Sequence, residues 1–145
     1  GQGDQEEKLK ELWGKSRWKT DISFRPFLPF DQLFNEIKNA KYFSMSSIWY
    51  ENAPMVILEA FDAGLIPLVP DFGGMKETVE QVLRFGRTYK SNDLKSWKEE
   101  INYLEKNYAD EYARLERSRG IIEKLGTENY LKRISHEYSK LKGRN

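Results

Sequence analysis

Ser46-Ser47-Ile48-Trp49-Tyr50-Glu51-Asn52-Ala53-Pro54-Met55-Val56-Ile57-Leu58-Glu59-Ala60-Phe61 reads as the end of a strand, a tight loop and a helix. The run Tyr42 to Ser47 is short and half apolar, as strands are. Pro54 suits the first helical position, where its missing N–H costs nothing. From there Val56, Ile57, Ala60 and Phe61 recur at helical spacing, and Met55, Leu58 and Ala63 extend the apolar character to nearly every face. That pattern predicts a helix buried on most sides. Glu59 alone breaks it, and a buried carboxylate is costly unless something pairs with it.

Glu51 lies in the loop eight positions before Glu59, so both side chains can border one crevice above the helix N-terminus. That terminus offers the N–H groups of Met55, Val56 and Ile57 and the positive end of the helix dipole, which together favour a phosphate or diphosphate. An anion site flanked by two hydroxyl acceptors suits a nucleotide sugar. The plainer alternative makes Glu51 a helix-start carboxylate and ties Glu59 to nearby backbone or a lysine. Trp49 and Tyr50 could stack on a sugar or a base, or simply pack.

Composition bounds the possibilities. A chain of 145 residues is long enough for one domain with a real core. With a net charge of +1, nothing in the balance argues for nucleic acid or for a strongly basic membrane surface. The sequence has no cysteine, which excludes disulfides, thiolate metal sites and a cysteine nucleophile. No apolar run is long enough to span a membrane and no signal peptide is visible, so the expected location is cytoplasmic.

Along the chain, Leu9, Leu12 and Trp13 predict a helix of about three turns. Residues 22–28 read as a strand with Phe24 and Phe27 in the core. Pro29 and Asp31 then end it and cap a helix carrying Phe30, Leu33, Phe34 and Ile37 on one side. Leu65-Ile66-Pro67-Leu68-Val69 reads as a buried parallel strand, although Pro67 argues against a position hydrogen-bonded on both sides. Gly73-Gly74 permits a sharp turn or close approach, and Met75, Val79, Val82 and Leu83 predict the helix that follows. A weak strand falls at Arg87 to Lys90. The remainder, about 92–145, is helical: Leu94, Trp97, Ile101 and Leu104 form one stripe, Tyr130, Leu131, Ile134, Tyr138 and Leu141 another. His136 sits inside the last helix and reads as structural. Lys140, Lys142 and Arg144 read as a solvated helix end, with contact to anionic lipid as the alternative. Alternating strands and helices argue for a doubly wound α/β sheet, in which ligands bind beyond the carboxyl ends of the strands.

The ordered set Ser47, Glu51-x7-Glu59, Glu-Ala-Phe-x-Ala-Gly from 59 to 64 and Asp-x-Gly-Gly-x-x-Glu from 71 to 77 resembles the donor-binding, C-terminal half of GT-B glycosyltransferases, specifically the family 4 retaining enzymes. The resemblance reaches upstream through Ile22-Ser23-Phe24-Arg25-Pro26-Phe27-Leu28-Pro29, Leu33 and Ala40. It implies a Rossmann-like parallel sheet with flanking helices. It also implies transfer of a sugar from a nucleotide diphosphate sugar to an acceptor hydroxyl, without metal or other cofactor. Glu51 would be the catalytic-centre residue holding hydroxyls of the transferred sugar, and Glu59 would hold the ribose. The backbone from Asn52 and Ala53 through Pro54, Met55 and Val56 would take the diphosphate. Departures stand at Pro26, where the family has glycine near the base, and at Ser46, Asn52 and Ala53.

Against that family the chain reads as one nucleotide-sugar-binding domain, 1–145, truncated and incomplete at its N-terminal side. The acceptor half and the first two strands of the donor half are missing from it, to be supplied by an N-terminal domain or a partner chain. With strand order 3-2-1-4-5-6, the missing strands would leave a gap between 22–28 and 42–47, and the chain alone is expected to be inactive. The rival expectation is a non-catalytic scaffold subunit of the same fold.

Overall fold

The computed structural model of the protein describes residues 3–142, with the backbone alone for Phe30, Leu141 and Lys142. Arg144, singled out above, lies outside the described residues. The chain divides into two compact units, Gly1–Ile37 and Lys38–Asn145.

The first unit is built on two helices. Helix α1, Glu6–Lys15, carries Glu6 and Glu7 in its first turn and Lys15 in its last, charges that complement the helix dipole. The Trp13 indole N–H donates to the carbonyls of Lys19 and Ile22, both at 2.9 Å, and its ring meets Phe24 edge-on at 5.8 Å. Residues 22–29 form no strand. The expectation failed because Pro26 and Pro29 each remove a ladder donor and no other strand of the described residues pairs there. Phe27 is exposed rather than core. Helix α2, Phe30–Ile37, begins one residue before Asp31, which therefore sits in the first turn and is not the cap. Arg25 pairs with Glu36 at 2.9 Å.

The second unit is a three-stranded parallel sheet flanked by helices, with strands β1, Tyr42–Ser44, β2, Ile66–Pro70, and β3, Arg87–Tyr89, in the order β1-β2-β3. Strand β2 lies in the middle and every one of its residues is buried. Its two prolines are tolerated for a geometric reason. The Ile66 amide donates to Lys41 and the Leu68 carbonyl accepts from Met45, so even-numbered residues of β2 face β1 and odd-numbered ones face β3. Strand β3 begins opposite Leu68, so the donor Pro67 lacks would point below the start of β3; β1 ends opposite Leu68, so that of Pro70 would point beyond the end of β1. The Met45 carbonyl that a residue with an N–H at position 70 would engage accepts instead from the Tyr89 hydroxyl at 2.7 Å. Since 22–29 is not a strand, the expected gap between it and β1 does not arise; within the described residues the sheet ends at β1.

Helix α3, Met55–Asp62, joins β1 to β2, and Pro54 is its N-cap rather than its first residue. Ile57, Ala60 and Phe61 face the core, while Met55, Val56, Glu59 and Asp62 lie on the solvent side. The helix is thus amphipathic, not buried on most sides, and Glu59 carries no burial cost. Helix α4, Gly73–Glu77, runs into a π-helical turn, Thr78–Leu83, which ends at Arg84 with φ 52°. The Thr78 hydroxyl donates to the Gly74 carbonyl at 2.6 Å. The core joins α3, β2, α4 and the π turn to Leu104 of α5, Leu94–Lys106, and Leu115 of α6, Tyr108–Ser118. Glu111 of α6 is buried but satisfied, accepting two bonds from Arg114 at 2.9 and 2.8 Å and one from the Tyr103 hydroxyl at 3.2 Å. Helices α7, Ile121–Leu125, and α8, Thr127–Lys142, follow, and none of the described side chains of α8 is buried.

Candidate functional site

The carboxyl ends of three parallel strands converge at one edge of the sheet, and the loop from Met45 to Pro54 rises there from β1. Ser47 starts its internal wiring: the hydroxyl accepts from the Trp49 amide at 3.2 Å and donates to Glu51 Oε1 at 3.2 Å. The half-buried Glu51 side chain is therefore oriented by a residue four positions back. Its main chain is held from the other side, where the Glu51 carbonyl accepts from the Gly74 amide at 2.7 Å. This approach is possible only with glycine at 74, because a Cβ there would stand 1.8 Å from the Asn52 carbonyl oxygen. Gly73 turns the chain at φ 57°, and Tyr50 lies over it with its ring 5.2 Å from that of Phe72.

The double glycine thus fastens the Glu51 loop against the start of α4, one loop over from α3. At the start of α3 no side chain caps the first-turn amides and no acidic residue occupies that turn, but the Ile57 amide, expected to be open, donates to the Pro54 carbonyl at 3.1 Å, which leaves those of Met55 and Val56. An uncapped helix N-terminus of this kind is an anion-binding feature. Glu59 follows Met55 by four residues, hence lies one turn up on the same exposed stripe, and forms no ion pair among the described residues. Asn52 and Ala53 are exposed and Pro54 is buried, so the segment presents main chain and small side chains to solvent beside Glu51. Trp49 and Tyr50 are 76 % and 82 % exposed, so their packing reading does not hold beyond the Tyr50–Phe72 contact.

Beside this loop, on the side of α5, opens a cleft of about 450 Å³. Ser44, Ser46, Ser47 and Ile48 line one wall, Pro70 and Tyr89 the floor, and Ser91 to Leu94 with Trp97 the other wall. The Trp97 indole N–H donates to the Ser44 hydroxyl at 2.8 Å. The turn into α5 is stiffened by side chains: Asp71 accepts from the Ser91 amide at 3.2 Å, and Asp93 caps α5 by accepting from the Lys95 and Ser96 amides at 2.9 and 3.0 Å. Burial pushes the Tyr89 phenol above its ordinary pKa, and its hydroxyl donates to the Met45 carbonyl. The sequence pattern did not reveal this cleft, since its walls come from three strand ends and Trp97 reads equally well as part of an apolar helix stripe. The available signal was the polar cluster Ser91-Asn92-Asp93 following a strand.

A parallel sheet with flanking helices, whose first loop is fastened by a double glycine at the carboxyl edge, defines a Rossmann-like α/β domain. The family described as glycosyl transferases group 1 matches residues 1–119, and the chain belongs to it, with the fold of the C-terminal domain of GT-B enzymes. No curated protein matches the chain. Among the described residues no helix is long and apolar enough to cross a membrane.

Proposed function

We propose that the chain is the donor-binding part of a retaining glycosyltransferase of the family 4 type, which moves a sugar from a nucleotide diphosphate sugar to an acceptor hydroxyl. The observation that carries this reading is the double restraint on Glu51: its carboxylate is oriented by Ser47 and its carbonyl is bound by the Gly74 amide, beside an uncapped helix start. A carboxylate fixed in this way is preorganised to hold sugar hydroxyls. The main chain from Asn52 to Val56 takes the diphosphate, and amides aimed at a departing pyrophosphate stabilise the charge that develops as the glycosidic bond breaks. Glu59, exposed on the same helix and without an ion pair among the described residues, accepts from the ribose hydroxyls. The retaining course and the family 4 placement rest on the ordered match of Glu51, Glu59 and the Asp71 to Glu77 segment.

No metal enters this reading, because amide groups and the helix dipole supply the positive potential. The acceptor-binding half belongs to another segment or chain, and a reducing, cytoplasmic setting agrees with a sequence free of cysteine. Titration of UDP and GDP sugars into the protein and its Glu59→Gln variant tests the assignment. Loss of a charged acceptor is expected to weaken binding roughly ten- to a hundredfold. Equal affinity would remove Glu59 from the site, and no binding by either protein would remove the donor reading. The exposed Ile48, Trp49 and Tyr50 favour one rival, a non-catalytic scaffold subunit that covers them with a partner. Stoichiometric co-purification of a partner in the absence of nucleotide binding would select it.

A further inference from the structure

We propose that the cleft between the β1 loop and α5 is a second ligand site, which takes an uncharged saccharide ring separately from the nucleotide. Its chemistry selects the ligand class. At about 450 Å³ the cleft falls within the size range of small-molecule sites, roughly 300–1,000 Å³. Among the described residues no lysine, arginine or histidine lines it, so these offer nothing to neutralise a phosphate or carboxylate. Its one ionisable carboxylate, Asp93, is occupied in capping α5. What remains is an aromatic wall, Trp97, with the side chains of Ser46, Ser91 and Asn92 around it. An apolar ring face with short polar groups at its rim matches a pyranose, which presents C–H bonds on its faces and hydroxyls at its edge.

The walls are built rather than incidental. Trp97 is held by its bond to Ser44, and Asn92 adopts φ 57° in a turn tied down by Asp71 and Asp93. Ser47 lines this cleft and also donates to Glu51, so a ring seated here adjoins the carboxylate assigned to the transferred sugar. The role of that ring as the acceptor saccharide, or a unit of it, rests on the proposed transferase function; the existence of the site does not.

The test follows the Trp97 indole N–H resonance, assigned by comparison with Trp97→Phe, while methyl glucoside, methyl mannoside and their disaccharides are added without nucleotide. UDP and GDP are titrated separately. Ser46 is exposed at the mouth of the cleft, so Ser46→Tyr fills the space without touching the core. A saccharide-dependent shift of the Trp97 signal is expected, lost in Ser46→Tyr and retained in Glu59→Gln. Absence of any shift, or a shift that survives in Ser46→Tyr, overturns the proposal. Displacement of the saccharide by UDP or GDP also overturns it, because the cleft would then be part of the nucleotide site. A saccharide response in a protein that binds no nucleotide upholds the cleft while removing the donor reading, so the two failures are distinct.

Discussion

The first unit and the sheet unit are both rich in aromatic and aliphatic side chains at helical spacing, yet they use them differently. In the sheet unit Ile57, Phe61, Met75, Leu104 and Leu115 are fully buried, because β1, β3 and helices α3, α4 and α6 all converge on β2. In the first unit none of the described residues is buried, and Trp13 and Phe24 make an edge-on pair in which Phe24 remains 41 % exposed. Apolar periodicity therefore specifies that a helix forms, whereas a core needs several surfaces closing on one volume. Stability in this protein is concentrated in residues 38 onward.

Truncation of a core aromatic gives the sharpest contrast. Phe61→Ala removes a wholly buried ring that also meets the Phe85 ring at a tilt, centroids 5.7 Å apart, and is expected to cost about 3–5 kcal/mol. Phe24→Ala in the first unit is expected to cost under about 1 kcal/mol. Paired denaturant titrations check this, and equal costs would break the comparison. Gly74→Ala should come next, at about 3 kcal/mol, since a backbone carbonyl cannot yield to the added methyl as a flexible side chain could. If the loop carries the donor site, nucleotide-sugar affinity falls with it. Asp93→Ala removes the α5 cap and should cost about 1 kcal/mol, with Asp93→Asn recovering most of it in thermal unfolding.

The smallest effect is a pH dependence. The Tyr42 hydroxyl is buried with no completed hydrogen bond among the described residues, and burial first, then the Glu105 carboxylate, push its pKa well above the usual value of 10.0. A phenol raised in the folded state contributes stability that is complete below pH 10 and fades as pH rises beyond it. Tyr42→Phe should therefore flatten the alkaline limb of the stability curve while leaving neutral stability nearly unchanged. An identical alkaline limb in both proteins would exclude Tyr42 as its source.

Much of this architecture was legible in the chain. The continuous apolar run at 65–69 located the central strand, and the spacing of Leu94, Trp97, Ile101 and Leu104 located α5. Gly-Gly at 73–74 marked a close approach, although what approaches is the Asn52 backbone rather than a ligand. Three features were not legible. Residues 22–28 have strand-like composition, but pairing requires a neighbour and free donors, and Pro26 and the adjoining Pro29 each remove a donor. The outer face of α3 carries Met55 and Val56, whose hydropathy says buried while their position beside the site leaves them open. The π turn at Thr78–Leu83 depends on a single extra residue per turn, which leaves no mark on composition.

Pro70 has one consequence for how this protein can vary. Because that residue has no amide hydrogen to give, a duty of the main chain has passed to the side chain of Tyr89, and the two positions are coupled by an exchange of roles. Tyr89→Phe alone strands the Met45 carbonyl; Pro70→Ala alone creates a second suitor for it; together they restore an ordinary ladder bond. The double substitution should thus be milder than the sum of its parts, and relatives that have lost the tyrosine should have lost the proline too.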